Sequence, residues 1–338
     1  DGTPEAEALC AVACGALSAQ GVQAVLLGLA MPPVLRCAQR LMGISAGLFV
    51  FGKRMTLTAK DGGLPPKALQ RKVETLFVRQ DYARPFTRAA AAPEMVSGAD
   101  ALYIGALAAS VPSDAFASIR PHVAVFANSE ALSSLAQSVL RAVGLPGRAV
   151  CGPPQVEPWE TGFLLSESGE SATVFDSHGT PDAAAQALLS YAALDAGGEW
   201  VARMDAPAAL EALAKDRGAC VRRVSTTAEA YADALLAADK RQFWMAYDGL
   251  YRVLHLSALL ARKRTTLRGL LASLPPVYRH VERVPCALRE RGRLLRAIAE
   301  AEASAELNGG LRVTRQNGWL TVDPDEREAE MVVAGEAA

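Results

Sequence analysis

Short apolar runs, each closed by a turn signal, alternate along this chain with longer helical patterns, and that alternation constrains the fold more than any single motif. Residues 4–20 read as an Ala-rich helix ended by Gly21, and Val22 to Gly28 (VQAVLLG) as a buried strand. Pro33 to Met42 is a second helix, Gly47 to Phe51 the next strand, and Met55 to Ala59 a short strand after the basic loop Lys53-Arg54. An Asp-Gly-Gly turn and Pro65-Pro66 then lead into an amphipathic helix, Pro66 to Arg79, with Leu69, Val73, Leu76 and Phe77 on one face. Helices and strands in this order indicate an α/β fold with a largely parallel sheet, in which loops at the ends of buried strands are the usual seat of chemistry. Residues 83–100, rich in Ala and Pro, read as a linker.

The rhythm repeats twice. Val123 to Phe126 is a strand, Ser129 to Val143 a helix and Ala149 to Cys151 a strand, followed by hairpin strands Thr161 to Leu165 and Thr173 to Asp176 around SESGES. A helix from Thr180 to Leu194, a strand at Trp200 to Met204, a helix at Pro207 to Arg217, a strand at Cys220 to Val224 and a helix at Thr227 to Ala237 form a third set. Gln242 to Tyr247 and Leu250 to Val253 read as strand segments around Asp248-Gly249, and His255 to Ala272 as mostly helix. The end of the chain changes character: a strand at Val281 to Pro285, a long helix at Ala287 to Ala305, and strands at Gly310 to Arg315, Gly318 to Val322 and Met331 to Ala334, with Asn317-Gly318 as a hairpin signal. The expected architecture is therefore three tandem α/β/α domains (1–97, 98–179, 180–276) and a small α+β domain (277–338) around a central cleft. The chain opens on a helix where an α/β unit opens on a strand, so an N-terminal strand is expected to be missing and the chain to be a piece of a longer polypeptide.

With 51% hydrophobic and 21% charged residues, a chain of 338 residues can bury several cores. A net charge of −1 gives no global field for nucleic acid or an anionic membrane, and no apolar run is long enough to span a bilayer. The cysteines (Cys10, Cys14, Cys37, Cys151, Cys220, Cys286) form no CxxC pair and read as buried free thiols of a reduced, cytoplasmic protein.

Several strings in order, namely the helix–VLLG–PP–helix stretch, AGLFVF, DGGLPPKALQRKVETLF, VAVFANSEALSSLAQSVLRAVG, GFLL before a hairpin, and GGLRVTRQNGWLTVDPDEREAEMVVAGEAA, resemble the α-D-phosphohexomutases (phosphomannomutase and phosphoglucomutase) over nearly the whole chain. The resemblance implies phosphate transfer between sugar carbons through a phosphoserine loop, a magnesium loop of aspartates, a sugar-binding loop and a phosphate cradle. This sequence departs from the family at each. Lys53, Arg54 and Met55 stand at the Ser-His-Asn positions, and neither Lys53 nor Arg54 can form a phosphoserine; Thr56 and Thr58 are nearby hydroxyls but read as sheet residues. In SESGES, Ser166, Ser168 and Glu170 replace aspartates and Ser171 the arginine, so the segment reads as a solvated hairpin tip. In the sugar loop Ala246 replaces the glutamate, Asp248 the serine and Leu250 the histidine. In the cradle Asp323, Asp325 and Glu326 face a lone Arg327, while Pro324 and Glu328 are kept.

DGGLPPKALQRKVETLFVRQDYARP, TGFLLSESGESATVFDSHG, AYDGLYR and LPPVYRHVERVPCALRERGRLLR are most similar to the degenerate phosphomannomutase-like C-terminal region of bacterial mannose-1-phosphate guanylyltransferase-type nucleotidyltransferases. That resemblance implies a non-catalytic module serving an attached or associated nucleotidyltransferase in ligand sensing or assembly. It would bind a sugar phosphate or nucleotide sugar, form a homo-oligomer, and have no cofactor, nucleic-acid or membrane partner. The alternative is an active, Mg-dependent hexose-phosphate mutase with a displaced nucleophile. Lys53, Arg54 and Arg327 are the candidate anion site, against the reading of an ordinary solvated loop. Arg279, His280 and Arg283 form a basic seam that either contacts a neighbouring domain or binds an anion.

Overall fold

The computed structural model describes residues 2–52, 54–81, 91–117, 119–194, 197–307, 310–316, 318–325 and 328–337. Helix α1 (Pro4–Ala19) is capped by Thr3, whose hydroxyl accepts from the Ala6 amide at 3.3 Å, and Pro4 occupies the position where a missing N–H costs nothing. The helix is apolar on most sides, yet of its residues it buries only Ala6. Strand β1 (Val25–Leu26), helix α2 (Pro32–Met42), the hairpin β2 (Gly47–Phe51) and β3 (Arg54–Thr58), helix α3 (Lys67–Arg79) and β4 (Glu94–Met95) complete a first region. Its expected single, largely parallel sheet is corrected. β1 pairs in parallel with β4, β2 pairs antiparallel with β3, and the two pairs are separate sheets. The segment read as a linker contributes β4 to this arrangement.

The second region follows α4 (Ala99–Ser110). It comprises β5 (His122–Ala127), α5 (Glu130–Ala142), β6 (Gly147–Cys151), β7 (Glu160–Leu165) and β8 (Ala172–Phe175). The strands form one sheet in the order β6-β5-β7-β8, with β5 parallel to both neighbours and β8 antiparallel to β7. Because β5 is covered on both faces, Val123 through Ala127 are all buried, which is why its sequence is a continuous apolar run. Ser129 caps α5 through the Leu132 amide, and the helix presses Leu132, Leu135, Val139 and Leu140 onto the sheet.

The third region holds α6 (Ala183–Ala193), β9 (Gly198–Arg203), α7 (Ala209–Lys215), β10 (Ala219–Val224), α8 (Ala228–Ala238), α9 (Lys240–Tyr247), α10 (Gly249–Lys263) and α11 (Leu267–Ala272). β9 and β10 are a parallel pair. The expected strands at Gln242–Tyr247 and Leu250–Val253 are helices instead. Asp239 caps α9 and Asp248 caps α10, and Leu250, Val253, Leu254 and Ser257 fall on the buried stripe of one helical period. α3 buries none of its residues and is tied to α8 through Glu229, which meets Lys67 at 3.8 Å and Gln70 at 3.2 Å.

The tail contains β11 (Tyr278–Pro285), α12 (Leu288–Ala301), β12 (Ala305–Leu307), β13 (Leu311–Arg315), β14 (Gly318–Pro324) and β15 (Glu330–Ala337). Its antiparallel sheet runs β11-β15-β14-β13-β12; the long helix ends at Ala301, short of the expected Ala305, which instead opens β12. One contiguous hydrophobic core extends from Met31 to Leu270, whereas the tail packs Leu311, Val313, Trp319, Val322 and Met331 apart from it. The tail is tied to the third region by polar contacts. The Ala208 amide donates to Glu336 at 3.0 Å, Thr226 Oγ1 to Asp323 at 2.7 Å, and Arg312 to the Met204 carbonyl. The cysteines are free as expected, but only Cys37 is buried; Cys10 and Cys220 are exposed, and Cys14, Cys151 and Cys286 half-buried.

Candidate functional site

Parallel strands direct the chemistry of such folds to the loops at their C-terminal ends. Here those loops follow β7 (Ser166–Ser171), β9 (Asp205) and β10 (Ser225–Thr227), while Gly52 lies in the β2–β3 hairpin turn and the tail adds Asp323. A buried arginine joins the first two regions. Arg36, on the inner face of α2 and 2% exposed, donates to the Gly62 carbonyl and to Glu170 of the β7–β8 loop. Its guanidinium lies over the rings of Phe243 and Tyr247, at 5.8 and 5.5 Å from their centroids. Arg36, Glu170, Arg203 and Tyr231 all act on Tyr247, whose hydroxyl pKa is pushed up to about 12, chiefly by burial. Beyond it, Arg203 pairs with Asp205 at 2.9 Å, and Arg279 of the tail approaches the same Asp205 at 3.8 Å. A polar seam therefore crosses the molecule from α2 to the tail.

The loop expected to be a solvated hairpin tip is docked in this seam. Glu170 is held by Arg36 through Oε1 and by the Ser168 hydroxyl at 3.0 Å through Oε2. The Ser166 hydroxyl accepts from the Ser171 amide at 3.0 Å, closing the turn. Gly169 is buried, and its carbonyl accepts from the Gly249 amide at 2.9 Å. A Cβ at Gly249 would lie 2.7 Å from the Ser171 carbonyl oxygen and 2.9 Å from that of Gly169, so glycine is needed for this approach.

Asp248 is 1% exposed and faces inward as the cap of α10, accepting from the Tyr251 amide at 3.0 Å and the Tyr103 hydroxyl at 2.7 Å. Burial raises its pKa to about 6, with these hydrogen bonds opposing the shift. Ala246 lies in the last turn of α9. Asp323 is half-buried, its pKa raised by burial, and is bonded to Thr226. Asp325 pairs with Arg283 at 2.6 Å and accepts from the Glu328 amide at 3.1 Å. Of the basic seam, Arg279 reaches across to the third region while Arg283 stays within the tail sheet. Thr58 donates to Gln39 at 2.7 Å, in a sheet setting. Of the candidate anion site, Arg54 is exposed at the start of β3, opposite Phe51; Lys53 and Arg327, with Glu326, lie outside the described residues.

Sequence reasoning missed Arg36 and Tyr247. The signal for Arg36 was a charge on the stripe that Val34, Cys37 and Ala38 bury, since arginine enters a core only when paired. Nothing in the sequence named its partner, 134 residues away.

No protein-family model matches the sequence, and no curated protein sequence matches it. Solved structures do match. A phosphoglucomutase/phosphomannomutase family protein from Burkholderia thailandensis is similar at 16% identity over 97% of this chain and 82% of its own, with a TM-score of 0.77. The phosphoglucomutase pp63/parafusin from Paramecium is similar at 9% identity over 94% and 78%, with a TM-score of 0.68. N-acetylphosphoglucosamine mutase from Aspergillus fumigatus is similar at 11% identity over 97% and 90%, with a TM-score of 0.59. These neighbours are α-D-phosphohexomutases, and at such identities the likeness is one of fold.

The Aspergillus structure holds GlcNAc-6P and magnesium, a finding that points to magnesium and corrects the expectation of no cofactor for this chain. Among the described residues of this chain, no group of three or more His, Cys, Asp or Glu is gathered to hold a metal, and both Glu170 oxygens are engaged. In the β7–β8 loop the carboxylate nearest the seam, that of Glu170, is thus engaged by Arg36 and Ser168. Among the described residues no helix is long and apolar enough to cross a membrane.

Proposed function

We infer that this chain is a sugar-phosphate-binding module of phosphohexomutase fold, degenerate as a mutase, that serves an attached or associated sugar-1-phosphate nucleotidyltransferase in the cytoplasm. The docked β7–β8 loop carries the reading. A loop that presents a hard cation to a phosphoryl group needs free carboxylate oxygens, and here the Glu170 carboxylate is committed to Arg36 and Ser168. Lys53 and Arg54, where the resemblance expects the nucleophile, supply positive charge but no hydroxyl to phosphorylate. Cations at these two positions in the sequence suit capture of a sugar phosphate or nucleotide sugar.

A coupled assay with glucose-1-phosphate and mannose-1-phosphate, in magnesium and a sugar bisphosphate, tests degeneracy. No turnover is expected; turnover at the rate of an ordinary mutase overturns the reading in favour of an active enzyme with a displaced nucleophile. Calorimetric titration with the same sugar phosphates tests binding. Heat that disappears in a Lys53→Ala, Arg54→Ala double variant is expected, and unchanged heat removes the basic loop from the site. A nucleotidyltransferase reading frame upstream of residue 1 supports the association, and an unrelated one counts against it.

A further inference from the structure

Away from the seam, a cavity of about 480 Å³ opens between α4 and α10, and none of Arg36, Glu170, Arg203, Asp205 or Tyr247 lines it. Its size is that of a pocket for a small molecule. Tyr251 and His255, one helical turn apart on α10, both line it, and their rings stack with 4.0 Å between centroids. Ser110, the last residue of α4, donates to the Leu107 carbonyl at 2.7 Å, so its oxygen is left to accept from His255 Nε2 at 3.2 Å. Burial and the neighbouring Arg241 hold the His255 pKa down at about 4, so the ring is neutral and its one proton is engaged with Ser110. Tyr251 is 5% exposed, and its hydroxyl has no hydrogen-bond partner among the described residues. A buried hydroxyl so placed favours a ligand oxygen that accepts from it.

The walls and rim define what fits. Pro112 and Ile119 after α4, Leu194 at the end of α6 and Leu259 of α10 are apolar, and with the stacked pair they suit a flat ring. Arg241, Arg262 and Arg264 bring guanidinium groups to the cavity, and Asp114 brings a carboxylate. Arg241 bears on the titration of both Tyr251 and His255, whose shifts are otherwise set by burial, so it is the cation beside the unpartnered hydroxyl. Asp239 holds it at 2.8 Å, and Arg262 is engaged as well, so neither offers an undivided charge. Arg262 and Arg264 lie about 16–20 Å further along α10 than Tyr251, too far to share its ligand, but they add a positive field that draws anions in. A monoanion suits this divided charge; a phosphate dianion asks for more cations than the Tyr251 end supplies. We propose that this cavity binds an aryl carboxylate, its ring among Ile119, Leu259 and the Tyr251–His255 pair and its carboxylate accepting from the Tyr251 hydroxyl on the side of Arg241.

Calorimetric titration of the full chain with 2-naphthoate, and with the neutral 2-naphthamide, tests this. The carboxylate is expected to bind about tenfold or more tightly than the amide, and Tyr251→Phe to weaken it about tenfold by removing a hydrogen bond to a charged group. Ile119→Trp, at a half-exposed wall position, is expected to fill the cavity and abolish binding. The Lys53→Ala, Arg54→Ala double variant should bind naphthoate as wild type does, which separates this cavity from capture of a sugar phosphate. No heat at millimolar naphthoate overturns the proposal, as does equal affinity for the amide. Wild-type affinity in both Tyr251→Phe and Ile119→Trp also overturns it, because the naphthoate is then bound elsewhere. If Tyr251→Phe does not fold, Ile119→Trp decides: lost binding in the folded variant supports the site, and retained binding rejects it.

Discussion

In the second region β5 is paired on both edges, and α5 above it buries Leu132, Leu135, Ala136, Val139 and Leu140; in the first region, among the described residues, β1–β4 and β2–β3 are two separate two-stranded sheets, and α1 buries a single alanine. Both helices are capped by a hydroxyl, and both are rich in apolar residues, so local sequence does not set them apart. What differs is the sheet beneath. An amphipathic or apolar helix takes most of its stability from the surface it covers, and a split sheet offers little surface.

The largest effect tests that contrast. Leu140→Ala in α5 is expected to cost about 2–5 kcal/mol in urea unfolding, whereas Val12→Ala in α1, at 71% exposed, should stay within ~0.5 kcal/mol. Comparable losses would mean that α1 is covered in solution. Arg36→Met asks whether the first region depends on the second. Removing the guanidinium leaves Glu170 without its cation and is expected to cost about 3 kcal/mol, tempered because the Glu170 side chain is 30% exposed. A Glu170→Gln, Arg36→Met double-mutant cycle then measures the coupling directly. Gly249→Ala probes how the second region is held by the third, and its Cβ is expected to push the β7–β8 loop away at a cost of about 1–3 kcal/mol.

Asp248→Asn gives a small effect and the clearest pH signature. Asparagine keeps the cap and the acceptor for Tyr103 but removes a buried charge. The folded-state pKa of about 6 lies above that of the unfolded chain, so the folded protein binds the extra proton between about pH 4 and 6, and wild-type stability from this group falls as pH rises through that window. The variant should therefore be more stable than wild type at pH 7, by about 1 kcal/mol, and the gap should close towards pH 4. A gap that widens on acidification would contradict the buried setting of Asp248. His255 works in the opposite sense. Burial lowers its pKa to about 4, so its contribution is lost as pH falls from about 6.5, and comparing wild type with the Asp248→Asn variant at each pH cancels it.

The strands of the second region were legible because a strand buried on both faces must be written as an unbroken apolar run, as VAVF is. The helices α9 and α10 were misread for a related reason. FWMAY is short, aromatic and apolar, and such a run fits a buried strand as well as a buried helix. Asp239 and Asp248, each capping the helix that follows, were the signals that separate the two. Met95 became a strand residue only because β1 offers it a partner, which no local pattern announces. The seam through Arg36, Glu170, Tyr247 and Arg203 joins four distant stretches, and pairing over such separations is written in tertiary packing rather than in any window of sequence.

The tail sheet ends in β11 on one side and in the three-residue β12 on the other. β11 is eight residues long and exposed along most of its length, a shape that invites fibrillar stacking of one molecule on the next. Its sequence counters that hazard. Arg279, Glu282 and Arg283 place charge along the strand, Arg283 is bound back to Asp325 and Glu330, and Pro285 closes the run with a residue that has no amide hydrogen to offer. Copies of this chain crowded together in a cell would therefore meet a border that discourages sheet-to-sheet growth, leaving the tail free to serve its own molecule.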